Sequence, residues 1–257
     1  MGDAGLAAIG VVSVPRFVVD SEALSATRVV LTGPQLHHLR ARRLRVGSKL
    51  VLADGLGRQR HGVVTAIDRR QAMIRVTEEQ PSDRDSSLRL TLAQALLKGD
   101  KLDWVIEKAT ELGVAELVLF TSERTVGRAG VERAARWTRV ARGAAQQCQR
   151  STLPLIIGPV PFDQVVDRDG ATLRLFFWEQ EVPGGLAAVQ RQHPKVSSVL
   201  AVVGPEGGFS AREAAQAAAA GFRLVGLAPR ILRAETAAVA AATLCQFLWG
   251  DLGENAS

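Results

Sequence analysis

Hydrophobic positions change their rhythm once along this chain. From Pro15 to about Thr77, short runs rich in β-branched residues are bounded by Gly, Asp or Ser: "RFVVD", "TRVVLT", "SKLVLADG", "RHGVVTAID" and "QAMIRVTEE". Runs of this kind predict strands. "ADGLGRQR" predicts a hairpin turn, and "PQLHHLRARRLR" predicts one helix between strands. Several short strands with turns imply a small β-barrel. "EEQPSDRDSS", residues 78–87, is polar, carries a proline and predicts a linker. The segment before the first strand reads as a frayed extension.

After residue 88 strands and helices alternate. "LRLTLAQAL", "AELVLFTSE", "ATLRLFFWEQE", "KVSSVLAVVG" and "RLVGLA" predict strands. "GDKLDWVIEKATELGV" places Leu102, Val105, Ile106 and Ala109 on one stripe and stops at Gly113. "GVERAARWTRVARGAAQQCQR", "PGGLAAVQRQH", "SAREAAQAAAAGF" and "AETAAVAAATLCQFLWGD" predict further helices. Ser210 and Glu213 have the spacing of a capping box. Near-continuously apolar strands between helices imply an α/β domain with a mostly parallel sheet covered on both faces. The expected domains are 1–80 and 88–257.

Composition narrows the chemistry. Hydrophobic residues make up 47% of 257, enough for a real core, and the formal charge is +6. Two cysteines, Cys148 and Cys245, fit neither a disulfide framework nor a zinc site, so no metal and a reducing, cytoplasmic compartment are expected. No apolar run approaches the roughly 20 residues that span a bilayer. Lysine occurs only at Lys49, Lys98, Lys101, Lys108 and Lys195, and the other basic residues are arginines. The guanidinium fork suits phosphate and base contacts.

Two arginine clusters stand out. Arg40, Arg42, Arg43, Arg45 and Lys49 face no acid between residues 37 and 49. Arg133, Arg136, Arg139 and Arg142 form a ridge opposite Ala134, Trp137, Val140 and Ala141, and the helix ends near Arg150. Each reads either as a nucleic-acid contact or as a solvated face. His37 and His38 are expected to pack or cap, because adjacent helical positions do not share a face.

Two loops carry the sharper signal. "VVGPEGGFS" sets Gly204, Pro205, Gly207 and Gly208 around Glu206 at a strand end. It lacks the Lys-Ser/Thr of a P-loop and the spacing of a dinucleotide fold, so it suits a ligand read by backbone hydrogen bonds. "GLAPRILRAETAAVAAA" follows a strand with an extended segment holding Arg230 and Arg233. Glu235 or Thr236 is expected to cap the alanine-rich helix that follows.

"QALLKGDKLDWVIEKATELGV", "SERTV", "AAQQCQR", "VVGPEGGFS" and "LAPRILRAETAAVAA" together resemble the bacterial small-subunit ribosomal RNA uridine-N3 methyltransferases, the RsmE family of the SPOUT superfamily. The resemblance covers nearly the whole chain. It departs at Gln146 and Gln149, where the family has a glutamate and a glycine, and at Ala228, where the family has a glycine.

The resemblance implies a PUA-like RNA-binding barrel and a SPOUT α/β domain with a carboxyl-terminal trefoil knot. It implies S-adenosylmethionine as cofactor, held by Trp178 and Glu179, by Val203, Gly204, Pro205, Glu206, Gly207 and Gly208, and by Leu227, Pro229, Ile231, Leu232, Arg233, Thr236 and Ala237. The partner it implies is 16S ribosomal RNA within the small subunit, and the enzyme would be a homodimer. Arg16, Arg150, Arg230 and Arg233 are the candidates to stabilise a uracil anion, and Glu235 is the one nominated acid. RNA contacts are assigned to Arg40, Arg42, Arg43, Arg45, Lys49, Arg133, Arg136 and Arg150. A ribose 2′-O-methyltransferase and a non-catalytic ribosome-assembly factor are the competing readings.

Overall fold

The computed structural model describes residues 14–80, 84–127, 131–180 and 185–253; the expected amino-terminal extension lies almost wholly outside them. The chain divides into two compact units, Met1–Pro81 and Ser82–Ser257.

The first unit contains β1 (Arg16–Val18), α1 (Ser21–Ser25), β2 (Arg28–Thr32), α2 (Gly33–Ala41), β3 (Lys49–Ala53), β4 (Gln59–Ile67) and β5 (Gln71–Gln80). Its sheet runs β1-β3-β4-β5-β2 and wraps as a half-barrel. β1 pairs with β3 in parallel and the other pairings are antiparallel. Along β2, Val29 and Leu31 point inward while Arg28, Val30 and Thr32 point out, so the strand period of two is obeyed. Phe17, Leu24, Leu39, Leu50, Leu52 and Ile74 fill the core.

α2 ends earlier than the pattern predicts. Arg43 takes a left-handed φ of +56°. Its N–H donates to Arg40 O, and that of Leu44 donates to Leu39 O, which is a Schellman ending. Leu44 thereby folds back onto the core. Arg42, Arg43 and Arg45 are therefore not helical, and Lys49 opens β3 as the strand pattern predicts. His38 packs edge-on against Phe17, with ring centroids 5.2 Å apart.

The second unit contains β6 (Arg89–Ala95), α3 (Lys101–Glu111), β7 (Glu116–Thr121), α4 (Val131–Cys148), β8 (Leu155–Pro161), α5 (Phe162–Val166) and β9 (Leu173–Phe177). It continues with α6 (Gly185–Gln192), β10 (Ser198–Val203), α7 (Ala211–Ala219), β11 (Arg223–Val225) and α8 (Ala234–Trp249). All pairings in the sheet β11-β9-β10-β6-β7-β8 are parallel. Both faces are buried. Val199, Ala201 and Val203 face a core shared with α3, α4, α6 and α8. Leu200 and Val202 face a second core with α5, α7 and Phe209. Among the described residues no helix is long and apolar enough to cross a membrane.

The sequence pattern missed α1, β8 and α5. β8 contains Pro159 and Pro161 and lies at the sheet edge, where a strand needs partners on one side only. On α4 the buried face is Trp137, Ala141, Ala144 and Ala145, whereas Ala134 is exposed, contrary to the expected stripe. The predicted cap of α8 also shifts. The extended segment continues to Arg233, which occupies the N-cap with no side-chain bond, and Glu235 and Thr236 fall inside the first turn. The capping box of α7 forms as expected, with Ser210 accepting from Glu213 N–H and Glu213 from Ser210 N–H.

α4 closes with Gln149 at φ +67° and Arg150 N–H donating to Ala145 O. Glycine adopts this conformation without the Cβ clash, which accounts for the glycine that the resembling family carries there. Gln149→Gly is expected to raise unfolding free energy by about 0.5–1 kcal/mol, measured by urea denaturation.

Candidate active site

Parallel strands place all their carboxyl ends at one edge, and loops leaving that edge must converge. Three do so. The chain leaves β9 through Trp178 and Glu179, β10 through Gly204–Phe209, and β11 through Gly226–Arg233. They enclose a cavity of about 470 Å³, completed by Lys101 at the start of α3 and by Ala234 and Ala237 of α8.

The glycines are there because neighbours come close. A Cβ on Gly204 would lie 3.0 Å from the Phe209 ring, and one on Gly207 would lie 3.1 Å from Arg124 Cβ. Gly208 has φ +66°, and a Cβ there would meet a Glu179 carboxylate oxygen. Phe209 anchors the loop beneath, its ring centroid 4.2 Å from that of Phe176. Gln94, fully buried at the end of β6, donates from Nε2 to Gly204 O at 3.1 Å. Arg124 Nη1 donates to Gly207 O at 3.1 Å.

Glu206 turns away from a purely ligand-facing role. Its Oε1 accepts from the Lys98 backbone N–H at 3.0 Å and lies 3.4 Å from Lys101 Nζ. Burial alone would raise this carboxyl, but the Lys98 and Glu206 backbone amides and the Lys101 ammonium outweigh it and hold it below the ordinary carboxylate range. Lys101 Nζ also lies 3.4 Å from Glu235 Oε2. Sequence reasoning assigned Lys101 no role. Its place inside the "KGDKLDW" stretch was the available signal.

The cavity gathers every expected cofactor residue except Thr236, which is exposed on α8. It also takes in Phe177, Ala228 and Arg230. Arg230, Ile231 and Arg233 are exposed at its mouth. Glu235 reaches it through Lys101.

Arg150 lies elsewhere, contrary to the sequence-based expectation. It is 4% exposed. Nη1 donates to Thr110 O and Val114 O, each at 2.9 Å, Nε to Asp85 at 3.0 Å and Nη2 to Thr152 at 3.0 Å. Val114 precedes β7, so this clasp sits at the amino-terminal edge of the sheet, a strand length of roughly 15–20 Å from the cavity edge. Buried and engaged in four hydrogen bonds, Arg150 is structural and reaches neither uracil nor phosphate.

Arg16 is 6% exposed on β1 in the first unit. Arg40, Arg42, Arg43, Arg45 and Lys49 are exposed there, and Arg40 Nη2 donates to Asp68 O at 2.7 Å. On α4, Arg133 is half-buried, and Arg136 is committed to Asp100 at 2.8 Å and to Asp103.

Comparison with known proteins gives a consistent picture. Residues 84–246 match the model of an RNA methyltransferase domain, and residues 31–77 that of an RNA methyltransferase PUA domain. The ribosomal RNA small subunit methyltransferase E of Bacillus subtilis (strain 168) is 30% identical over 217 residues, 80% of this chain and 85% of that protein. Its counterpart from Synechocystis is 34% identical over 227 residues, covering 86% and 74%. The crystal structure of ribosomal RNA small subunit methyltransferase E from Neisseria gonorrhoeae bound to S-adenosyl methionine superposes with a TM-score of 0.84 at 32% identity, covering 93% of this chain and 99% of that one.

Two outcomes test this local geometry. Gly208→Ala is expected to cost about 1 kcal/mol in denaturant unfolding, from the left-handed backbone, and to displace Glu179 from the loop. At the opposite edge, burial would raise the Asp85 carboxyl, but hydrogen bonds from Thr152, Ser151 and Arg150 hold it below its ordinary value. A depressed carboxylate stabilises fully above its unfolded pKa, near 3.9, and loses that contribution as pH falls through the lower folded value. Asp85→Asn should therefore be less stable than wild type at pH 7, with the gap narrowing below about pH 4, read from melting temperatures.

Proposed function

We infer the reaction from one premise: this chain belongs to the family of ribosomal RNA small subunit methyltransferase E. It is an S-adenosylmethionine-dependent methyltransferase of 16S ribosomal RNA. The methylated atom is N3 of a uridine, a reading supported by the "GPEGG" and "RILRAETA" motifs. The observation that carries the reading is the glycine-lined cavity at the carboxyl ends of β9, β10 and β11.

The residues present fit the cofactor. A volume of about 470 Å³ lies within the range of small-molecule sites. Val203, Leu227, Pro229, Ile231, Leu232 and Ala237 offer apolar walls for a purine. Gly204, Gly207 and Gly208 bring main chain without side chains to the cavity wall. Glu179 offers acceptors for hydroxyl or ammonium groups. Trp178 Nε1 is buried with no hydrogen-bond partner among the described residues. S-adenosylmethionine supplies a methyl group on a positively charged sulfur, which departs as a neutral thioether.

The chain's own work is orientation and charge. Uracil N3 carries an imide proton that must leave before nitrogen can accept the methyl group. Arg230 and Arg233 at the cavity mouth offset the negative charge left on the base. Glu235 accepts the proton directly or through water. The target base leaves its stack to enter. Arg40, Arg42, Arg43, Arg45 and Lys49 bind backbone phosphates, so affinity falls steeply with salt.

Residues 226–233 thread past the 204–210 loop to tie a trefoil knot. The path of the chain supports this: from β11 at one sheet edge it returns across β9 to an α8 packed on β10 and β6. The enzyme works as a homodimer in the cytoplasm, on 16S RNA within the small subunit.

Incubation with small subunits lacking the modification, followed by nuclease digestion and mass spectrometry, is expected to yield 3-methyluridine. A 2′-O-methyl product would replace this reading with the ribose chemistry. Arg230→Ala and Arg233→Ala should each lower kcat by roughly tenfold or more, measured at saturating cofactor.

A further inference from the structure

The two walls of the cofactor cavity are held separately, the first by Gln94, Arg124 and the Lys98 amide. The 204–208 loop is three-fifths glycine and has little side chain to pack. Residues 226–233 form no helix or strand. The second wall is fixed at its start by Trp178 N–H donating to Val225 O at 3.0 Å, and at its end by Ala237 N–H donating to Arg233 O at 2.8 Å. Among the described residues, the Lys101 side chain makes ion pairs with both walls. Lys101 Nζ lies 3.4 Å from Glu206 of the first and 3.4 Å from Glu235, in the helical turn that ends the second.

The base from which Lys101 acts is rigid. Lys101 opens α3, whose Leu102, Val105 and Ile106 are buried in the core. The backbone N–H of Lys98, just before the helix, also holds Glu206. Nearby Asp100 and Asp103 are taken by Arg136 of α4. The Lys101 ammonium is thus left to the two glutamates. The Glu235 side chain is only 16% exposed, so its charge is partly desolvated and depends on this counter-ion more than a surface pair would.

We propose that Lys101 is a positioning residue, a brace whose ammonium ties Glu206 and Glu235 together and so presets the cofactor cavity before binding. The inference rests on the reading that this cavity takes S-adenosylmethionine. A preset cavity spares the ligand the cost of ordering its own walls. The brace acts on cavity shape, so its loss weakens every ligand that fills the adenosine end, whether or not that ligand carries an amino-acid moiety.

Calorimetric titration of the full chain without RNA tests this, with three probes: S-adenosylmethionine, S-adenosylhomocysteine and 5′-methylthioadenosine. Lys101→Met is expected to weaken all three by roughly five- to tenfold, and Lys101→Arg to restore most of the affinity. Adding Glu235→Gln to Lys101→Met should cost little more, because both changes remove the same link. If Lys101→Met does not fold, Glu206→Gln carries the test and should give the same uniform loss. A loss confined to the two probes with an amino-acid group would mean that Lys101 touches that group directly, and would overturn the brace. Unchanged binding of all three would overturn it as well. A wild-type chain that binds none of the three would refute the cofactor reading, and the brace with it.

Discussion

Burial of a parallel sheet on both faces is the constraint from which the second unit follows. Strands such as Val199–Val203 have no solvent side, so helices must cover both faces and every crossover must return over the sheet. Strand ends of one polarity therefore share one edge. Loops from three neighbouring strands meet there, and their main-chain groups cannot all pair within the sheet. The cavity follows from that topology, and the glycines follow from the cavity. Each sits where Phe209, Arg124 or Glu179 packs close against its backbone.

Much of this was legible in residue order. The change from a period of two to alternating strands and helices marked the two kinds of fold, and apolar runs marked the buried strands. The glycines of the Gly204–Gly208 loop announced a close approach to its backbone, which Phe209, Arg124 and Glu179 make. β8 was hidden because its prolines argue against a strand unless its edge position is known. The end of α2 was hidden for a different reason. Arg43 takes a left-handed conformation that arginine seldom adopts, and only the packing of Leu44 explains it.

The site was legible in its loops and not in its electrostatics. Arg150 looked like a catalytic or RNA-binding cation because it ends an arginine-bearing helix. Four hydrogen bonds show it instead to be a clasp between the end of α3 and Asp85. Arg136 likewise sits on the expected ridge but neutralises two aspartates at the other end of α3. A cation's use depends on which acids the fold brings beside it, and spacing along one helix does not contain that information. Lys101 escaped notice by the same logic, because its partners lie 105 and 134 residues further along the chain.

α3 emerges as a strut about 16 Å long, pinned at each tip by charge: Lys101 at one end, the carbonyls held by Arg150 at the other. The two anchorages share no partner and lie too far apart to couple strongly. Robustness and ligand grip are thereby drawn from separate parts of one helix. Variation can accumulate around the Asp85 end, and alter how firmly the domain holds together, without retuning the pocket at the other.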